Sequence, residues 1–156
     1  MPSIAAGVDF DTVAREWRCK WSDEDCKASL KACQKLLEDL TIDILQVTHD
    51  FVGKQLKTTE VLNGKLDVGK QTVQRIVCNE CNDFKVVVKL PLEMFAEWEK
   101  RNFAPEATFL EGLRAIPGVS QVETQTYTLE VVNLMGKVQV PKAANGCMAA
   151  SLPRAA

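Results

Sequence analysis

Six cysteines and one histidine hold most of the side-chain chemistry open to this 156-residue chain. Cys78-Asn79-Glu80-Cys81 is its one CxxC. Two thiols at that spacing suit three uses: gripping one metal ion, closing a reversible disulfide, or forming a tight turn. A closed zinc site needs about four ligands, so the pair supplies half a site. Cys26, with Glu80 or Asp83, is the candidate to complete it. Three of the six cysteines fall at apolar positions of predicted elements and not in a spaced loop framework. That pattern points to a reducing compartment, the cytoplasm or an organelle matrix or stroma. His49 is the sole histidine, so Ser-His, Cys-His and multi-histidine metal chemistry must all run through one residue. No catalytic set is identified, and no cofactor is expected.

Charge narrows the partners. Nineteen Lys and Arg against 21 Asp and Glu leave a net charge of −2 and a pI near 5.5. No strong field is available to attract nucleic acid or an anionic membrane. The run FKVVVKL also lacks the aromatic pattern of an RNA-reading sheet, so no nucleic acid is expected. No apolar run approaches the ~20 residues of a membrane-spanning helix. The start MPSIAAGVDFDT has neither the basic region nor the apolar stretch of a signal peptide.

The elements that must carry these residues follow from periodicity. EWRCKW (16–21) alternates, with Trp17, Cys19 and Trp21 on one face and Arg18 and Lys20 on the other, which predicts a half-buried strand. Ser22 and the acidic run after it predict a helix start. Cys26, Leu30, Cys33, Leu37, Leu40 and Ile44 make one apolar stripe lasting to about Gln46. Residues 47–71 read as an inserted hairpin arm turning at Asn63-Gly64, since both residues tolerate positive φ. VQRIVC (73–78) and FKVVVKL (84–90) are strands joined by NECND, a turn-rich linker. Met94, Phe95 and Trp98 mark a helix that restarts after Pro105 and ends before Pro117-Gly118. QVETQTYTLEV (121–131) is a last strand.

The order strand, helix, strand, strand, helix, strand predicts an α+β, ferredoxin-like βαββαβ domain over 16–131. Its four-stranded antiparallel sheet is expected in order 4-1-3-2, with both helices on one face. Residues 1–15 are a leader, and 132–156 form an extended, weakly basic tail with Lys137, Lys142 and Arg154 and no acid. The three tryptophans read as core, because each sits on an apolar face. Arg18, Lys20, Lys85 and Lys89 are expected to share the sheet surface away from the helices. Burying four such charges unpaired would cost several kcal/mol each. That face therefore stays wet or is neutralised by acidic groups from the arm, the tail, a second protomer or another protein.

FKVVVKL, MFAEWEKRNFAPEATFLEGL and VETQTYTL give a strand, a helix with a mid-course aromatic, a proline restart and a closing strand. Over about 84–127 this stretch resembles the stress-responsive dimeric α/β-barrel family, small ferredoxin-like proteins whose sheets join face to face. IPGVSQVET is also similar to the ligand-binding domain of the leucine-responsive regulator family. The first resemblance implies a binder of ligands or partners. In the members that cyclise polyketides it also implies histidines around the mid-helix proline. Ala104, Pro105, Glu106 and Ala107 occupy those positions here. Arm and tail add some fifty residues that a minimal core does not need, and long connections are usually functional or disordered. The reading preferred from sequence is a non-enzymatic accessory subunit, docking other protein subunits through Arg18, Lys20, Lys85, Lys89 and the Asn63-Gly64 arm. The alternatives are a homodimeric barrel-type small-molecule binder or cyclase, and a thiol or metal protein using Cys78, Cys81 and Cys26.

Overall fold

A computed structural model describes residues 2–47 and 72–130. The arm with Asn63 and Gly64, His49 and the tail lie outside the described residues. Within them the chain is α+β, with a four-stranded antiparallel sheet and a separate two-stranded one.

The expected leader carries structure of its own. Strands β1 (Ser3–Ala5) and β2 (Val8–Asp9) form a small antiparallel ladder. Gly7, at φ +77°, makes the turn between them. Strand β3 then runs Thr12–Lys20, so it starts four residues before the boundary expected at Glu16. Arg15, a charged residue in phase with Val13 and Trp17, hides that start from an apolar-alternation reading. Helix α1 (Glu24–Asp39) is followed by a second helical segment, α2, over 41–47. Strands β4 (Thr72–Cys78) and β5 (Asp83–Pro91) follow, then helices α3 (Leu92–Lys100) and α4 (Glu106–Ala115), and strand β6 (Ser120–Leu129). The sheet order is β4-β5-β3-β6, with every neighbouring pair antiparallel.

Register explains the core. Val13, Trp17 and Cys19 of β3 lie opposite Leu90, Val86 and Phe84 of β5, all of them buried. Trp17 packs against Trp98 of α3 at 6.0 Å between ring centroids and against Phe109 of α4 at 5.2 Å. Trp98 meets Phe95 and Phe103 edge-on. Each such aromatic pair adds about 0.5–1.5 kcal/mol beyond burial of its area. Trp98 Nε1 donates to the Ala104 carbonyl at 2.9 Å, across the cis Ala104–Pro105 junction that separates the two helices. The tryptophans are core residues, as their phase predicts.

The start of α1 departs from the predicted stripe. Ser22 Oγ accepts the Glu24 N–H at 3.1 Å, which is a capping contact, but Asp25, Cys26 and Lys27 have φ of 50°, 54° and 62°. Left-handed backbone costs an L-residue roughly 1–2 kcal/mol. In this conformation Cys26 leaves the apolar face and is exposed, while Ser29 and Cys33 are the buried residues of α1. Ser29 Oγ accepts the Ser22 N–H at 2.9 Å, and a Cβ on Gly118 would lie 3.3 Å from the Cβ atoms of both serines. At its other end the helix stops at Asp39, short of Gln46. Val47, expected to open the arm, is a buried residue of α2.

Candidate functional site

Packing of Trp17 on Trp98 and Phe109, and of Cys19 on Cys33, puts α1, α3 and α4 on the face carrying the odd-numbered residues of β3. The even-numbered residues form the opposite face, and the predicted cations are on it. Arg18 is in register with Lys85 and Glu123, Lys20 with Asp83, and Ala14 with Lys89 and Tyr127.

These cations do not make a uniformly basic patch. Arg18 Nη2 lies 2.6 Å from Glu123 Oε2, and Lys20 Nζ lies 2.5 Å from Asp83 Oδ1. Lys85 Nζ sits 3.8 Å from both Glu16 and Asp83. Among the described residues, Lys89 is the one of the four with no ion pair. The acids come from the sheet itself: Glu16 stands two residues before Arg18 and Asp83 two before Lys85, so period two puts each on its neighbour's face. Four cations against Glu16, Asp83 and Glu123 leave only +1. The expectation that the arm, the tail, a second protomer or another protein would supply neutralising acids is thus amended: acids of the sheet itself pair with Arg18, Lys20 and Lys85. The hydrogen bond from Lys20, helped by the nearby Lys85 and Arg18, holds the Asp83 carboxyl below its usual range. The bond to Glu123 raises the Arg18 guanidinium further.

Glu16 is the anchor of the face, only 6% exposed. Tyr127 donates its hydroxyl to Glu16 Oε2 at 3.1 Å. Burial, then the Glu16 charge, pushes the Tyr127 phenol up to about 12. Ala14 and Val87, also on this face, are buried as well.

At one end of the sheet, Cys78 and Cys81 are joined as a disulfide across the β4–β5 turn, with Cα atoms 5.6 Å apart. Among the described residues no three His, Cys, Asp or Glu side chains gather as a metal-ligand set. Cys26 therefore does not complete a site with them; both turn sulfurs are bonded to each other, and Cys26 stands on the left-handed turn of α1. The buried Cys19 and Cys33 place their sulfurs 3.8 Å apart between β3 and α1. The contact with Cys33, then burial, raises the Cys19 thiol above its ordinary range.

A third cluster joins sheet to helix. Arg15 donates from Nε and Nη2 to the two oxygens of Glu106 at 2.7 and 2.8 Å. Trp17 Nε1 donates to the same carboxylate at 2.7 Å. Arg15 also reaches the hydroxyls of Thr124 and Thr126 and stacks 4.3 Å from the Phe103 ring centre. Glu106, in the first turn of α4, stands among the positions where the barrel resemblance implies histidines, and its role here is to fasten α4 to the sheet. Periodicity did not find this cluster, although a lone arginine on an apolar strand face is itself a signal that a buried anion awaits it. At the opposite edge of the sheet, a shallow groove of about 410 Å³ between α1 and β4 is lined by Leu30, Lys31, Gln34, Arg75 and Val77.

No helix among the described residues is long and apolar enough to cross a membrane. No family model matches the chain, and neither a curated protein nor a solved structure matches it.

Proposed function

We propose that the chain is a non-enzymatic interaction protein, an accessory subunit that docks another protein subunit on the face of a ferredoxin-like sheet opposite α1, α3 and α4. One observation carries this reading: Arg18, Lys20, Lys85, Glu16, Asp83 and Glu123 form an ordered, mixed-charge array on one face of the sheet, with Lys89 the cation that has no ion pair among the described residues. Charges so arranged orient a partner and reject wrong ones more than they add raw affinity. The arm around Asn63-Gly64 and the tail are assigned to the same docking role on their length alone. The cytoplasm, or an organelle matrix or stroma, is the compartment this reading assigns, on the free thiols of Cys19, Cys26 and Cys33.

A second reading is a homodimer of the dimeric α/β-barrel type, with the sheets face to face. The mixed signs favour it, because a surface carrying both charges can complement its own copy, whereas a uniformly basic one repels it.

Lys89→Glu is the discriminating variant, since it disturbs no ion pair among the described residues. It is expected to lose the co-purifying subunit while its circular dichroism melt stays unchanged. If co-purification is unaffected and light scattering shows a homodimer that Lys89→Glu dissociates, the second reading holds. Lys85→Glu is the poorer probe, because it would place a third carboxylate between Glu16 and Asp83.

A further inference from the structure

We propose that Cys78 and Cys81 form a reversible thiol–disulfide exchange site that reacts with an external thiol. Four observations support it. The bond lies in a turn, with Cys81 exposed and Cys78 half-buried, so attack is feasible at Cys81. The two sulfurs are electrostatically unequal. The Cys81 amide points at Cys78 Sγ from 3.2 Å, whereas Asp83 Oδ2 lies 3.4 Å from Cys81 Sγ. An amide donor stabilises a thiolate and an adjacent carboxylate opposes one, so Cys78 is the better leaving group.

The turn is also held without the bond. Asn82 accepts the Trp21 N–H at 2.9 Å, Lys20 donates to the Cys81 carbonyl at 2.7 Å, and Lys27 donates to Asn79 Oδ1 at 2.6 Å. The Asn82 amide also reaches Asp23 at 3.4 Å. Opening the disulfide therefore leaves the sheet end anchored to the start of α1, and both redox states fit one fold. The charged groups around the turn are Lys20, Lys27, Lys85, Asp23, Glu80 and Asp83, which balance.

In the exchange, an incoming thiolate attacks Cys81 Sγ; a new sulfur–sulfur bond forms there and the Cys78–Cys81 bond breaks, leaving Cys78 as thiolate. A second thiolate attacks the external sulfur of the mixed disulfide and releases Cys81. Two external thiols are oxidised to one disulfide, and Cys78 and Cys81 gain the two electrons and two protons. The site lies at the sheet end and does not depend on the docking reading, so Lys89→Glu leaves it unchanged.

The test equilibrates the full-length chain with glutathione redox buffers of graded ratio and, in a parallel arm, with a reduced CxxC protein dithiol. Thiols are then trapped by alkylation and mapped by mass spectrometry. The expected result is opening of Cys78–Cys81 with unchanged tryptophan fluorescence. Cys81→Ser is expected to form its glutathione adduct on Cys78 about tenfold faster than Cys78→Ser forms one on Cys81, because the Cys81 amide faces Cys78 Sγ and the Asp83 carboxylate faces Cys81 Sγ. Cys26→Ser leaves both readouts unchanged. Opening by either couple supports the exchange, and the faster one names its source. A bond that opens only in denaturant, or equal adduct rates in the two variants, overturns it.

Discussion

Removing the Glu106 carboxylate is the sharpest test of how α4 is held to the sheet. In Glu106→Ala, the Arg15 guanidinium loses two charge-assisted bonds and the buried Trp17 loses the acceptor of its indole N–H. The pair is part-buried, so its loss lies below the about 3–5 kcal/mol that breaking a fully buried pair costs. An orphaned buried donor costs about 1–3 kcal/mol. Arg15 retains the Thr124 and Thr126 hydroxyls and the Phe103 face, which offset part of the loss. The net expectation is about 3–4 kcal/mol, which at ~2–4 °C per kcal/mol for a chain of this size lowers Tm by roughly 10 °C. Glu106→Gln keeps one carbonyl oxygen and is expected to lose about half as much. Urea unfolding followed by tryptophan fluorescence measures both, and a cycle with Arg15→Met isolates the pair. A coupling energy of about 0.5–3 kcal/mol is expected for groups in direct contact. Glu106→Ala within about 1 kcal/mol of the parent, or additivity across the cycle, refutes the reasoning.

Tyr127 is the only tyrosine, so phenolate absorbance reports it alone. It is expected to ionise near 12, not near its ordinary 10.0, and to fall back in Glu16→Gln. Between those two values the unfolded chain sheds the proton first, so stability declines across that window and the phenol contributes no pH dependence below it. Peptide mapping after brief native alkylation is expected to find Cys26 modified and Cys19 and Cys33 protected; labelling of the buried pair at the Cys26 rate would contradict their placement. Gly118→Ala is expected to destabilise by about 1–2 kcal/mol, because φ is +85° and the new Cβ meets Ser22 and Ser29 at 3.3 Å. An unchanged melt would mean that this turn gives way freely.

Alternation located Trp17 and Cys19 because a half-buried strand writes its inner face at every second residue. It could not locate the start of β3, where the inner-face residue is Arg15 and its compensating acid lies on α4. The cations of the opposite face were found for the same periodic reason, but their pairing was not. Whether Arg18 meets Glu123 depends on the register of β3 against β6, a quantity carried by two distant segments and not by either alone. Cys26 was misplaced because its spacing fits a right-handed helix, while the backbone there is left-handed.

The sheet order also bears on how the chain is made. β3 is the first long strand in chain order among the described residues, yet it is central, with β5 on one side and β6 on the other. Its Trp17 waits for Val86 and then for Thr124 before it is flanked on both sides. Non-local pairing of this kind folds slowly, since loop closure precedes any gain from contact. During synthesis the apolar row Val13, Trp17 and Cys19 therefore stays partly exposed until α3 and α4 bring Trp98 and Phe109 onto it, and exposed apolar surface of this kind is prone to aggregate.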